Sequence, residues 1–443
     1  MKFVSTRGGS PAVSIGEAIR NGAAPDGGLY VPAQQVKIDP DALRFGSLAE
    51  LGAQLLAPFF EGDALAPHLP AICDEAFDFP APLVMPDADR PSLRLLELFH
   101  GPTGAFKDFG ARFLMACFDR LGPSTGSGQA GGEGPLTVLA ATSGDTGGAV
   151  GSAAEGRRGL RALILYPRGR VSAFQQHQLC CWDAPVEALE VDGDFDDCQR
   201  LVKAAFADPA LSEAHRLTSA NSINIGRLLP QMVYLAAAAL DAYRDTSVAP
   251  GFAIPTGNLG HGVAALWARA LGMPIGPVLA ATNANRTLLD WNRGGPYRPA
   301  PSLTTIANAM DVGSPSNFER LERLPDAVHQ IAVERVDDDA IRARIAAEYA
   351  RSNYVLCPHS ATAVEAWERL DPARRAERLW ICAATAHPYK FADVVEPLIG
   401  ETLTPPPALA AILGREAHAT RIAATLEALV GALAGEGKAA EAA

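Results

Sequence analysis

One rhythm constrains this chain more than any single motif. From residue 137 onward, short apolar runs alternate with segments of helical period. Residues 137–141, 162–166 and 186–191 read as buried strands, with 171–182 and 194–207 as helices among them. The pattern restarts at 252–255 and continues through 278–282 to a late apolar run at 379–383, with helices near 226–243 and over 338–350. Uninterrupted apolar strands joined by helical crossovers pair in parallel, because helices cover both faces of such a sheet. The expected fold class is therefore α/β. A chain of 443 residues exceeds what one core organises, so two parallel-sheet domains sharing a cleft are expected. The expected division gives 1–90 to a small N-terminal region, 91–120 with 225–430 to a large domain, and 121–224 to a small α/β domain. Residues 431–443 read as a frayed Ala/Glu tail.

Bulk chemistry narrows the partners. A net charge of −12 repels nucleic acid and anionic membrane surfaces, and no Lys/Arg-rich run offsets it. No apolar run nears the ~18 residues of a membrane span, and the opening residues 1–9 lack an apolar signal core. Seven cysteines, odd in number, mostly in apolar surroundings and without a C-x-x-C pair, suit buried reduced thiols. A cytoplasmic protein acting on a small molecule, as a monomer or homodimer, is expected.

Residues 95–114 carry the first chemical signal. They begin as an apolar run, break at Gly101, Pro102 and Gly104, and resume with a helical stripe of Phe106, Phe109, Phe113, Cys117 and Phe118. Lys107 falls in the first turn of that helix. Burial and the positive end of the helix dipole both disfavour its charged form, and a neutral amine is a nucleophile that forms Schiff bases. A lysine beside aromatics can also lay its stem on them and keep its head in water. Composition bears on the choice, because the chain holds six lysines against 32 arginines. Arginine serves wherever a positive charge suffices, whereas chemistry needing a primary amine retains lysine. Lys2 and Lys438 are terminal, and Lys37 and Lys203 sit in polar contexts. Lys107 and Lys390 are left as candidates.

Two strand-to-helix loops add to this. Gly257-Asn-Leu-Gly-His-Gly262 leads into a helix whose Val263, Leu266, Trp267, Ala270 and Leu271 form one stripe. Close backbone approach and free N–H groups at a helix start suit a phosphate, and the same residues suit an ordinary tight turn. Gly260-His-Gly-Val-Ala-Ala265 matches a dinucleotide spelling, but Thr282 and Asn283 stand where an acid would meet the ribose. The chain lacks the Gly-Lys-Ser/Thr of a P-loop. In Ser143-Gly-Asp-Thr-Gly-Gly148, hydroxyls and helix-start N–H groups suit a carboxylate, while Ser143 or Thr146 equally suits an N-cap. His359 and His387 lie beside prolines without ligand spacing and read as satisfied or exposed. Residues 192–197 read as a solvated helix start. A tuned lysine, a phosphate cradle and a carboxylate loop on an α/β scaffold together suggest pyridoxal phosphate and no metal.

Longer motifs then identify a family. His100-Gly-Pro-Thr-Gly-Ala-Phe-Lys-Asp-Phe-Gly110, Ala141-Thr-Ser-Gly-Asp-Thr-Gly147, Ser219-Ala-Asn-Ser-Ile-Asn224 and Gly257-Asn-Leu-Gly260 resemble the bacterial and fungal threonine synthases. So do Ala281-Thr-Asn283, Asn308-Ala-Met-Asp-Val312, Thr385-Ala-His-Pro388, Ser5-Thr-Arg-Gly8 and Ala24-Pro-Asp-Gly-Gly-Leu-Tyr-Val-Pro32, in family order from about residue 3 to 395. The resemblance implies the tryptophan-synthase β-type fold (fold type II of pyridoxal phosphate enzymes). It implies conversion of O-phospho-L-homoserine and water to L-threonine and phosphate, the last step of threonine biosynthesis. A phospho-lyase releasing a 2-oxo acid and a non-catalytic metabolite-binding relative are the alternatives. By the same resemblance Lys107 would hold the cofactor as an imine and shuttle protons. Gly257, Asn258, Leu259 and Gly260 would cradle its phosphate, Asp145 would lie near the ring hydroxyl, and Thr385 would face the ring nitrogen. Ser143 and Thr146 would take the substrate carboxylate, with Arg168, Asn221, Ser222 and Lys390 on the substrate phosphate. His261 stands where relatives carry an acid or amide, and the glycine-rich loop 122–135 reads as an insertion without chemistry.

Overall fold

The computed structural model describes residues 1–121, 135–142 and 144–435. An antiparallel ribbon of β1 (Phe3–Ser5) and β2 (Tyr30–Pro32) opens the chain. β3 (Leu83–Val84) and β4 (Leu93–Glu97) lead to helix α1 (Lys107–Leu121). A first parallel run then comprises β5 (Leu136–Ala141), α2 (Asp145–Ala154), β6 (Leu160–Pro167), β7 (Val186–Asp192), α3 (Phe195–Ala207) and β8 (Leu217–Ser219). A second comprises β9 (Gly251–Pro255), α4 (Gly260–Ala270), β10 (Val278–Thr282), β11 (Ala332–Arg335), α5 (Pro358–Glu368) and β12 (Trp380–Ala384). The chain closes with β13 (Thr420–Ala423) and α6 (Leu426–Ala434).

These strands form two sheets, ordered β11-β10-β9-β12-β4-β3 and β13-β7-β6-β5-β8. Every pairing is parallel except that of β3 with β4. In register, Leu139 faces Leu163, and Cys382 faces both Leu95 and Ala253. All positions of β5, β9, β10 and β12 are buried. That is why they read as continuous apolar runs: a strand covered on both faces has no polar side to alternate with. The stripe of α1 is buried as its spacing predicts, with Phe113 edge-on to Phe60 at 6.1 Å and Phe109 against Phe79 at 4.4 Å.

The C-terminal segment departs from expectation. Residues 420–430 were expected in the large domain, but β13 pairs with β7 of the smaller sheet. Nor does fraying begin at Gly431, because α6 runs to Ala434 and buries Leu429, Ala432 and Leu433 beside Leu201 and Val191. Its Ala/Glu composition masks an apolar stripe at i, i+3 and i+4, and that stripe holds the helix down. Loop residues 122–134 and the last residues, 436–443, lie outside the described residues.

Candidate active site

The site forms where loops leave the carboxyl ends of strands in both sheets, the usual ligand position in open parallel sheets. β5 hands over to α2 through Thr142 and Gly144, β9 to α4 through residues 256–259, and Thr385 directly follows β12. One cavity between them is lined by Lys107, Asp145, Thr146, Asn221, Ser222, Gly257, Asn258, Leu259, Gly260 and Thr385. Ten of the expected site residues therefore meet at one place. Ser143 lies outside the described residues.

Lys107 opens α1, and its ammonium position lies 4.6 Å from the Phe106 ring centre. Burial, then the nearby Arg227 charge, pulls its pKa down to about 8. Asp145 pulls the other way and does not prevail. A neutral amine is thus within reach at ordinary pH.

The glycine loop is shaped by its neighbours. A Cβ on Gly257 would stand 2.9 Å from Met310 Cα and 3.1 Å from the Ala309 carbonyl, so only glycine lets these backbones approach. Leu259 is left-handed at φ 65° and precedes α4 without any side-chain cap, leaving the first-turn N–H groups free for an anion. Asn258 Oδ1 accepts from Ser316 N at 3.3 Å and Ser316 Oγ at 3.2 Å, which ties the loop to the next turn. Thr142 Oγ1 accepts from Gly144 N and from Gly147 N in the first turn of α2, leaving Thr146 without a capping role among the described contacts.

Several cavity atoms are buried without a protein partner: Asn221 Oδ1, Arg227 Nε, both His261 nitrogens and His359 Nδ1. Each such atom costs about 1–3 kcal/mol if left bare, so the set fits a polar occupant. His261 stacks on Phe106 at 4.9 Å, and burial pushes its pKa down to about 3. It faces the cavity as a neutral ring.

Two expected residues do not reach the cavity. Arg168 is half exposed and pairs with Asp192 at 3.3 Å and Glu190 at 3.8 Å, because the chain leaves β6 toward the end of β7. Lys390 is buried with its Nζ 2.9 Å from Asp145 Oδ1 and 2.8 Å from the Thr103 carbonyl, which it donates to, so its charge is already taken. Sequence reasoning missed Arg227 and misread His359, and both line the cavity. Arg227 Nη1 donates to the Ala220 carbonyl at 2.6 Å, and His359 Nε2 accepts from Ala309 N at 3.1 Å. Arg227 lies in the short helix Ile225–Leu228 that follows the cavity-lining stretch 221–223, and His359 is the second residue of α5.

Comparison with known proteins decides the family. A model described as "Pyridoxal-phosphate dependent enzyme" matches residues 88–380, and models of the threonine synthase N terminus and C-terminal part match 2–77 and 360–432. The chain belongs to the threonine synthases. Threonine synthases of Serratia marcescens and Escherichia coli are each 35% identical over 93% of this chain and 94% of their own. The crystal structure of the E. coli enzyme superposes with a TM-score of 0.88 at 34% identity, covering 98% of this chain and all of that one. A pyridoxal-phosphate-bound threonine synthase from Brucella melitensis gives 0.88 at 33% identity, covering 99% of each chain. An aspartate racemase at 16% identity and 0.53 shares the fold alone. The expected fold type II architecture is thus found, and pyridoxal phosphate is the cofactor of this family member.

A kinetic consequence follows for cofactor capture by the cofactor-free protein. With its pKa near 8, about a tenth of Lys107 is neutral at pH 7, some 300-fold more than of an ordinary lysine. The rate of the absorbance change on adding pyridoxal phosphate should rise with pH and level off just above 8. Levelling only above pH 10 would place the amine in water.

Proposed function

We propose that this protein converts O-phospho-L-homoserine and water to L-threonine and phosphate, the last step of threonine biosynthesis. The observation that carries it is a neutral-leaning buried amine, a glycine-loop anion cradle and a hydroxyl-lined wall around one cavity. When bound, the cofactor supplies the electron sink that acidifies the protons of an amino-acid substrate.

The residues divide the remaining work. Lys107 is the base that takes and returns protons at successive carbons, which its moderate basicity permits near neutral pH. Gly257, Asn258, Leu259 and Gly260 would hold the cofactor phosphate through main-chain N–H groups. Thr385 would offer a neutral hydroxyl to its ring nitrogen, and Asp145 a carboxylate to its ring hydroxyl. Ser143 and Thr146 take the substrate carboxylate, and Asn221 and Ser222 the substrate phosphate. The buried positions of Asp145 and Thr385, beside a half-buried Lys107, keep bulk water from the proton transfers. The seven cysteines are all free and buried, which supports work in a reducing compartment such as the cytoplasm. Every named site residue comes from one chain, so the reading holds for a monomer or a homodimer.

Steady-state kinetics with O-phospho-L-homoserine test this assignment. Asn221→Ala, which removes an amide facing a charged group, is expected to raise KM about tenfold or more. Arg168→Ala removes only an exposed ion pair and should leave KM within about twofold. The reverse order would return Arg168 to the substrate site.

A further inference from the structure

Lys390 is a buried lysine in a chain that otherwise prefers arginine, and the reaction as derived does not use it. It lies in the short turn Pro388–Phe391 after β12, with its side chain fully buried. Its Nζ makes the 2.9 Å ion pair with Asp145 and donates to the Thr103 carbonyl at 2.8 Å. Thr103 in turn donates from N (2.9 Å) and Oγ1 (2.6 Å) to Asp108, the residue after Lys107. One ammonium therefore links Asp145 in the first turn of α2 with, through Thr103, Asp108 in the first turn of α1, next to Lys107.

Asp145 is 5% exposed, and burial alone would drive a carboxyl there toward its neutral acid. The groups facing it are Lys390 from the 388–391 turn, Lys107 from α1, His359 from α5 and Gln175, whose Nε2 donates to Oδ1 at 3.4 Å. Burial pushes His359 down to about 4, so it is neutral near pH 7. Lys107, still mostly charged at pH 7, adds a smaller positive contribution. Lys390, paired at 2.9 Å, is the largest positive influence opposing burial, and together these groups hold the Asp145 carboxyl below its ordinary range.

We propose that Lys390 is a positioning residue for the reaction, its ammonium fixing Asp145 as a charged, acceptor-only group that faces the cavity beside Lys107. A neutral Asp145 would be a second proton donor in a site where one base must serve several carbons. Lys390 removes that competitor without touching the substrate. The inference rests on the reading of this cavity as the cofactor site, and its main test needs no substrate, so a wrong substrate assignment would not disturb it.

The test is a pH titration of the visible absorption band of the holoenzyme. The parent protein should show no Asp145-dependent transition between about pH 5 and 8. In Lys390→Met a carboxyl released from its partner should titrate in that window, its pKa moving up, and the new transition should vanish in Lys390→Met/Asp145→Asn. Lys390→Gln, which keeps a donor for the Thr103 carbonyl, should behave like Lys390→Met. Flat titrations in both single variants, with only a lower melting temperature, would make Lys390 structural and overturn the proposal. If neither variant holds cofactor, infrared spectra of the parent holoenzyme against Asp145→Asn decide it. A carboxylate band assigned to Asp145 at pH 7 supports the proposal, and a protonated carboxyl band there overturns it.

Discussion

The Lys107→Ala protein, supplied with pyridoxal phosphate and O-phospho-L-homoserine, is expected to form threonine at least about a thousandfold more slowly than the parent chain. The size of the effect follows from the lack of a substitute. His261 and His359 face the same cavity, but burial pulls their pKa values down to about 3 and 4, leaving rings too weakly basic to take a carbon-bound proton. Asp145 is held as an ion-paired carboxylate by Lys390. Covalent attachment of the cofactor is lost as well, so the visible band should shift in the unliganded protein. Product analysis of the parent chain belongs in the same experiment. Threonine with phosphate supports the synthase assignment, whereas phosphate with 2-oxobutanoate would make the enzyme a phospho-lyase. Equal turnover with and without Lys107 would remove it from the chemistry.

The second large effect is expected at a residue outside the cavity. Arg320 is completely buried and donates to Tyr30 O at 3.1 Å, Ser222 O at 3.3 Å, Asn317 Oδ1 at 2.6 Å and Ile223 O at 2.7 Å. It thereby ties the N-terminal ribbon to the 222–223 stretch that walls the site. Arg320→Met strips the Arg320 donors from these acceptors, of which, among the described residues, only Ser222 O keeps another side-chain partner, Asn317 Nδ2, and the expected loss is about 3–5 kcal/mol. The midpoint of urea unfolding should fall with its slope unchanged. Because Ser222 moves with that stretch, KM should rise in the same variant. Arg7→Ala is the control: Arg7 also reaches Glu319, at 2.6 Å, but from a half-exposed side chain, and should change stability by no more than about 1 kcal/mol. Equal losses in the two variants would mean that burial is not what gives Arg320 its weight.

Much of this architecture was legible in the order of residues. Doubly covered strands must be apolar throughout, so β5, β9, β10 and β12 announced themselves. Lys107 stood out because aromatic neighbours at helical spacing predict a buried amine, and the 257–260 loop because its glycines precede an apolar stripe. The family motifs added the cofactor and the reaction. Less legible was α6, whose small residues look like a solvated tail until β13 seats them on the smaller sheet.

The sequence by itself determined the α/β class, the lysine and glycine loop that line the cavity, and the family, since each depends on neighbours a few positions apart. The tertiary structure alone decided which charges reach the cavity. Arg168 and Lys390 carry the right chemistry for a substrate phosphate, yet one is turned to Asp192 and the other to Asp145. The Arg227 guanidinium and the neutral His359 ring line the cavity instead, from helices that no local pattern connects to Lys107. The reason is physical: a charge inside a protein goes where a partner can compensate its lost water, and for Lys390 that partner sits on a segment more than two hundred residues away.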